Sequence, residues 1–218
     1  MRRGETLLRP VRPNTPFVQA VLRHLAQVGV TWSPLALGVN DDGLEVVSWL
    51  RGETASAASD IDLVALTPMV RELHDLTTDL ADDQECVVHD DLQPRNVVVR
   101  AGRPVGLIDW EQARPGRRVE DVASLCWSFT QPCASSDLRT VAERWRLVVD
   151  TYGLDDRRTL IPTILGRMTT CAHDIERCAA AGSARHRVLL GRGDHAAIRE
   201  ALAWSTRHRT ALERLVSS

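Results

Sequence analysis

The chain of 218 residues contains no lysine, so every basic side chain other than histidine is an arginine. It also lacks an apolar run close to the ~20 residues that a membrane-spanning helix requires. The arginines at the start of the chain are not followed by the apolar core of a signal peptide. We therefore expect a cytoplasmic protein that is neither exported nor anchored in a membrane.

Cysteine and net charge are also low. The five cysteines are widely spaced and none forms a C-x-x-C pair, which argues against a zinc site or a disulfide framework and favours buried free thiols. The formal net charge of -2 excludes a bulk electrostatic attraction to nucleic acid or to a membrane surface. The length fits one large domain or two unequal lobes, and nothing in the composition specifies an oligomeric state.

The first part of the chain predicts a small mixed unit of strands and one helix. A short strand in GETLLRPVRP ends at prolines, and a helix is expected to begin at Asn14 or Thr15 and to end at Gly29. Two strands follow around an Asp-Gly turn. Residues 51–60, RGETASAASD, are small and polar and are the best candidate for a linker.

The rest of the chain is expected to be mainly helical. Residues 61–81 follow helical spacing, and Pro68 is predicted to break or kink this helix. Residues 96–110, NVVVRAGRPVGLIDW, predict a β-hairpin between two polar loops. Further helices are expected in the C-terminal part, with a single helix at the end. The apolar positions that indicate the first and the last of them are Val141, Trp145, Val148, Val149 and Tyr152, then Ile198, Leu202, Leu212 and Leu215.

The two polar loops bring together residues suited to one kind of chemistry. Asp91 and Asn96 flank a short loop that leads into the first strand of the predicted hairpin, and Asp109 ends the second strand. Asn96 and Asp109 would therefore lie at the same end of the hairpin, where an amide oxygen and a carboxylate suit Mg²⁺. Asp91 would lie beside the metal and accept a proton from a hydroxyl group. Positioning and metal charge supply most of what phosphoryl transfer requires.

The same loops resemble a known family. HDDLQPRN at 89–96 followed by LIDWE at 107–111 is similar to the two loops of the aminoglycoside phosphotransferase and choline kinase family, and to a small bacterial trifolitoxin-immunity-like branch of it. This resemblance implies an α+β, protein-kinase-like bilobal fold. Residues 1–52 would form a reduced N-terminal lobe and hinge, and residues 53–218 a mainly helical C-terminal lobe that carries both loops.

The resemblance implies a role for each polar residue of these loops. Asp91 corresponds to the catalytic aspartate, and His89 to the histidine that holds the geometry of the loop. Asn96 and Asp109 correspond to the ligands of Mg²⁺. Asp121 is similar to an aspartate that anchors the loop after the metal site.

The resemblance also implies a nucleotide site. VVSWLRG matches the family's hinge, so backbone groups of Ser48, Trp49 and Leu50 would contact the adenine of ATP, or the guanine of GTP. The phosphate-binding lysine of the family cannot be present in a chain without lysine. Arg9 occupies the most similar place, and its guanidinium can bind phosphate oxygens as a fork. A surface position on an edge strand is the alternative for Arg9.

Three departures from the family pattern affect the prediction. The glycine-rich phosphate loop is represented only by its second half, so either the start is assigned too late or the lobe is cut down. Val18 and Gln19 stand near the place of the helix glutamate that pairs with the lysine, and we expect that ion pair to be lost. Asp90 replaces a glycine or asparagine, and we expect its side chain to face solvent.

Two functions follow from these patterns. The first is an enzyme that transfers the γ-phosphate of a nucleotide, with Mg²⁺, to a hydroxyl of a small molecule such as an aminoglycoside or an amino alcohol. The alternative is a catalytically impaired pseudokinase or immunity-type binding protein with the same fold. The intact Asp91, Asn96 and Asp109 set favours the first, and the missing lysine and glycine loop favour the second.

Overall fold

The computed structural model describes residues 1–55, 57–58 and 61–217. The chain forms two compact units, Met1–Asp121 and Val122–Ser218. All of the predicted site residues belong to the first unit. The lobe boundary predicted after residue 52 falls inside this unit and stays a prediction about the family's lobes.

An antiparallel sheet opens the first unit, with its strands in the order β1-β2-β4-β3. Arg9 on β2 lies opposite Glu45 on β4, and Leu8 lies opposite Val46. The two strands predicted around the Asp-Gly turn are β3 and β4, which pair as a hairpin. Gly43 in this turn has a φ of 73°, which a glycine adopts without strain. The strands are β1 (Arg2–Arg3), β2 (Thr6–Pro10), β3 (Ala36–Val39) and β4 (Leu44–Ser48).

The helix predicted in the first unit is α1, Thr15–Gln27. The apolar residues of its buried face are Val18, Val21, Leu22 and Leu25, spaced as a helix that packs on a sheet requires. Asn14 stands at the N-cap position, but its side chain makes no cap hydrogen bond. Its amide nitrogen donates instead to the carbonyl oxygen of Ala113, at 2.7 Å.

The remainder of the first unit contains one long helix and two small sheets. α2 (Leu63–Leu76) is capped by Asp62 and continues through Pro68, so the helix does not end at this proline as one alternative predicted. The predicted linker contains strand β5; its residues Ser56, Ser59 and Asp60 lie outside the described part of the chain. The strands are β5 (Glu53–Thr54), β6 (Cys86–Val88), β7 (Val97–Arg100), β8 (Arg103–Leu107) and β9 (Arg114–Gly116).

The small sheets place the two polar loops. β7 and β8 form the predicted hairpin, and β7 also pairs with β5, whereas β6 pairs with β9. The β6–β9 pair was not predicted, because each strand is only three residues long. Its register sets Val88, which precedes the first polar loop, opposite Arg114, which follows the second.

The second unit is helical. The single last helix predicted from the apolar spacing is wrong, because α7 and α8 are separated at His208. There the imidazole Nδ1 of His208 lies 2.9 Å from the carbonyl oxygen of Trp204 and competes with the backbone for it. The helices are α3 (Arg118–Thr130), which begins in the first unit, α4 (Leu138–Tyr152), α5 (Leu160–Ala180), α6 (Ala184–Gly191), α7 (Asp194–Arg207) and α8 (Arg209–Ser217).

The other sequence expectations have mixed outcomes. Every apolar position predicted on α4 is buried. Of the five free cysteines, Cys86 and Cys126 are buried as expected, whereas Cys133, Cys171 and Cys178 are partly exposed. Within the described residues, no helix has the length and apolar content needed to cross a membrane.

Candidate active site

His89 follows β6 and is completely buried. Its Nε2 donates to the carbonyl oxygen of Ile108 at 3.0 Å, and its Nδ1 accepts the backbone N–H of Asp91 at 3.4 Å. The ring also lies against Trp110, with centroids 4.8 Å apart. His89 therefore joins Ile108 to the loop that contains Asp91, and the role that the resemblance implies for it stays a prediction.

Asp121 anchors the first polar loop from below. Its carboxylate accepts the backbone N–H of His89 at 2.7 Å, the backbone N–H of Asp90 at 3.0 Å and Nε2 of His74 at 3.1 Å. Burial alone would raise the pKa of Asp121, but the hydrogen bond and charge of His74, with the charge and N–H of His89, hold that pKa below its usual range. The expectation that Asp121 anchors the later loop is corrected: it binds the loop that contains Asp91.

Asp91 lies in the middle of this loop with its carboxylate held on both sides. Gln93 Nε2 donates to Oδ1, and Asn96 Nδ2 donates to Oδ2 at 2.9 Å. Burial raises the pKa of Asp91, against the lowering effect of His89, Arg95 and Asn96. A fixed carboxylate with a raised pKa is suited to accept a proton.

Asn96 and Asp109 meet at one end of the β7–β8 hairpin, where the sequence predicted them. Val97 lies opposite Leu107, and the next residue, Ile108, donates its N–H to the carbonyl oxygen of Asn96 at 2.9 Å. Asp109 has a φ of 65°, a left-handed conformation that is uncommon outside glycine. This backbone turns its carboxylate out of the hairpin, with 37% of the side chain exposed.

The donor set at this end fits a magnesium ion. Asn96 Nδ2 donates to both the carbonyl and the carboxylate oxygens of Asp91, which fixes the amide orientation, so Oδ1 is the atom that would be available to a metal ion. Asp109 supplies a carboxylate. No group of three or more His, Cys, Asp or Glu in the described residues could hold a metal ion. Mg²⁺ commonly takes one or two protein oxygens and completes its shell with water and phosphate, so the pair suffices.

Arg9 forms an ion pair with Asp109 and a shorter one with Glu45. Its Nη1 lies 3.9 Å from Asp109 Oδ1, and its Nε donates to Glu45 Oε2 at 2.6 Å. Helix α1 contains no glutamate, and the carboxylate that pairs with Arg9 comes instead from Glu45 on β4. Sequence reasoning missed Glu45, which is two residues from Val47 and lies with it on the buried face of the strand. A charged side chain is unusual in such a place.

The side chain of Asp90 was expected to face solvent, but it is bound to an arginine instead. Both of its carboxylate oxygens accept from Arg114, at 2.8 and 3.2 Å, and 19% of its side chain is exposed. Arg114 also donates to Glu120 at 2.6 Å. Burial would lower the pKa of Arg114, but the carboxylates of Asp90 and Glu120 raise it. Asp90 thus ties the first polar loop to the strand that follows the second.

In the predicted hinge, Ser48 to Leu50, two of the three backbone N–H groups already donate hydrogen bonds within the protein. The N–H of Ser48 donates to Leu35 at 2.9 Å, and the N–H of Trp49 donates to Glu5 at 2.8 Å. A nucleobase acceptor would therefore be bound by the N–H of Leu50, or would displace one of these bonds.

The fold and the order of the loops define the class: a protein-kinase-like chain of the phosphotransferase type. The family model described as "Phosphotransferase enzyme family" matches residues 60–156. A choline/ethanolamine kinase family protein from Mesorhizobium loti has a similar fold, with a TM-score of 0.66 and 14% identity over 99% of this chain and 87% of that one. An ADP-bound aminoglycoside phosphotransferase, APH(2'')-Ib, aligns with a TM-score of 0.58 and 14% identity, covering 92% and 86% of the two chains.

A sequence relative is more similar. The trifolitoxin immunity protein of Rhizobium leguminosarum bv. trifolii is 30% identical over 247 aligned positions, which cover 97% of this chain and 92% of the relative. The chain belongs to the aminoglycoside phosphotransferase and choline kinase family, in its trifolitoxin-immunity-like branch. The resemblance stated from the two loops is thereby confirmed.

Proposed function

We propose that this protein transfers the γ-phosphate of a nucleotide, with ATP as the first candidate, to a hydroxyl group of a small molecule. The observation that carries the proposal is the held carboxylate of Asp91 next to Asn96, on a loop joined to Asp109 through Ile108. An aminoglycoside or an amino alcohol is the proposed acceptor class. It is supported by family membership and by the aminoglycoside and choline kinases of similar fold.

The residues of the site have separate tasks in this proposal. Asp91 accepts a hydrogen bond from the acceptor hydroxyl and aligns its oxygen with the phosphorus. It takes the proton on its carboxylate as the new oxygen–phosphorus bond forms and the bond between the γ-phosphorus and the departing nucleoside diphosphate breaks. Gln93 and Asn96 keep that carboxylate in place, and His89 binds the backbone N–H of Asp91. Asn96 and Asp109 hold Mg²⁺, which neutralises phosphate charge when bound. Arg9 binds a phosphate oxygen of the nucleotide through its guanidinium.

Thermal unfolding with and without ATP and Mg²⁺ tests the nucleotide site. Ligand at ~100 times its dissociation constant adds about 2.7 kcal/mol of stability, which is roughly 5 to 10 °C for a chain of this size. We expect a shift that requires magnesium and that Asp109→Ala removes. If saturating ATP leaves the unfolding temperature unchanged, the proposal fails at its first step.

A second candidate is an immunity-type binding protein without phosphate transfer. It is favoured by the relative that is a trifolitoxin immunity protein, and by the engaged N–H groups of Ser48 and Trp49. Turnover assays with Asp91→Ala separate the two candidates. The enzyme requires that this variant lose phosphate transfer while it retains ATP binding. A wild-type chain that binds nucleotide but phosphorylates no member of an amino-sugar and amino-alcohol panel would favour the binding protein.

A further inference from the structure

Arg9 is the end of a buried polar relay that runs through β2, β4, α1 and β3. Glu45 accepts from Nε of Arg9 at 2.6 Å and from its Nη2 at 3.3 Å. Oε1 of Glu45 also accepts from Nε2 of Gln19 at 2.8 Å. Oε1 of Gln19 in turn accepts the backbone N–H of Gly38 at 3.1 Å. Glu45 and Gln19 are only 2% and 3% exposed, and the hydrogen bond between them is buried.

The relay determines where the guanidinium of Arg9 points. Two of its nitrogens are bound to Glu45, and the third, Nη1, lies 3.9 Å from Oδ1 of Asp109. An arginine side chain has many rotamers, but a planar fork bound along one edge has one direction left for the opposite corner. That corner faces the aspartate proposed to hold the metal and its phosphates.

We propose that Glu45 and Gln19 are positioning residues that hold Arg9 with Nη1 directed toward the phosphates of the bound nucleotide. This inference rests on the proposed function. The acid comes from strand β4, while helix α1 contributes the neutral Gln19 that orients it. Neither residue touches the nucleotide, because both act through Arg9. The Glu45 carboxylate is almost completely buried and the Arg9 side chain is 17% exposed, so breaking their pair would leave a largely desolvated carboxylate without its cation.

A double-mutant cycle tests the relay. ATP binding with Mg²⁺ is measured by calorimetry for Arg9→Gln, Glu45→Gln and the double variant, with adenosine as a probe that lacks phosphates. We expect each single variant to weaken ATP binding about tenfold to hundredfold, as the loss of a charge-assisted hydrogen bond does. The double variant should bind ATP no more weakly than Arg9→Gln, because Glu45 acts only through Arg9. Adenosine affinity should stay unchanged throughout.

The exposed pair of Arg209 and Glu213 on α8, 2.8 Å apart, is the matched control. The same Gln substitutions there should leave ATP affinity unchanged. Independent losses that add in the Arg9 and Glu45 double variant would overturn the relay, as would equal losses for ATP and adenosine. In both cases the nucleotide site would stand. Failure of the wild-type chain to bind ATP would instead overturn the proposed function and this inference with it.

Gln19→Met provides a second variant in case Glu45→Gln does not fold. It keeps the Arg9–Glu45 pair and removes the amide between Glu45 and Gly38. We expect ATP affinity to fall about three- to tenfold while adenosine affinity stays constant. Unchanged ATP affinity in a folded Gln19→Met would contradict a positioning role for Gln19.

Discussion

Replacing Asp121 by asparagine should strongly destabilise the N-terminal unit. The carboxylate accepts three hydrogen bonds while it is completely buried. An amide has one acceptor oxygen, and its NH₂ group would face a donor. Each lost hydrogen bond to a charged group costs about 1.5–3 kcal/mol, and removal of one member of a buried ionic set costs about 3–5 kcal/mol. We therefore expect about 3–5 kcal/mol, which is roughly 6 to 20 °C in unfolding temperature.

Urea unfolding followed by circular dichroism measures this loss, with thermal unfolding as a second readout. Asp41→Asn is the control, because Asp41 lies in the exposed turn between β3 and β4 and should change stability by no more than about 0.5 kcal/mol. A loss below about 1 kcal/mol in Asp121→Asn would refute the reasoning. Such a result would mean that the backbone N–H groups of His89 and Asp90 find other acceptors at little cost.

Acid should reduce the difference in unfolding free energy between the wild-type protein and Asp121→Asn. The pKa of Asp121 is lowered on folding, so its contribution to stability is complete above the ordinary value of about 3.9 and is lost as pH falls through the folded value. Asparagine does not titrate. The stability gap between wild type and Asp121→Asn should therefore be constant near neutral pH and shrink in acid below about pH 4. A gap that widens in acid would contradict the assignment.

Two further predictions concern catalysis and packing. Burial raises the pKa of Asp91, so the acid limb of the pH profile of kcat/KM should lie above the ordinary aspartate range. The charge of Arg95 lowers this pKa, so Arg95→Gln should move the acid limb to higher pH. A limb that does not move in this variant would exclude Asp91 as the titrating group. Gly52→Ala should lower the free energy of unfolding in urea by about 2–5 kcal/mol, because the φ of Gly52 is 145° and a Cβ there would lie 2.8 Å from the carbonyl oxygen of Val99. Gly166 lies in open space on α5, so the control Gly166→Ala should leave the stability unchanged or raise it slightly.

Local patterns predicted the elements that depend on short stretches of chain. The Asp-Gly hairpin, the β7–β8 hairpin and the buried stripe of α4 follow from turn chemistry and apolar spacing, and the structure has all three. The β6–β9 pair depends on two short strands far apart in sequence, and periodicity carries no signal for such a pairing. The division of the last predicted helix depends on a side chain of His208 that competes for a backbone carbonyl.

The site was predictable where one loop contains the residues and less so where partners come from other elements. The placement of Asn96 and Asp109 at one end of a hairpin follows from strand register alone. The partner of Arg9 was sought on α1, where the family pattern has it, but β4 supplies it through cross-strand pairing of Arg9 with Glu45. Likewise, nothing local to Asp90 reveals Arg114, since the pair forms only because β6 and β9 lie side by side.

Both backbone polar groups of Ile108 are bound to the first polar loop: its N–H to Asn96 and its carbonyl oxygen to His89. The two loops therefore have no independent hinge at this point, and opening one requires breaking bonds of the other. Segments joined in this way open as a single cooperative unit in hydrogen exchange. The amides of Ile108, His89 and Asp90 should therefore show the same free energy of opening in hydrogen exchange. A conformational change in the loop that contains Asp109 would then reach Asp91 through these backbone hydrogen bonds.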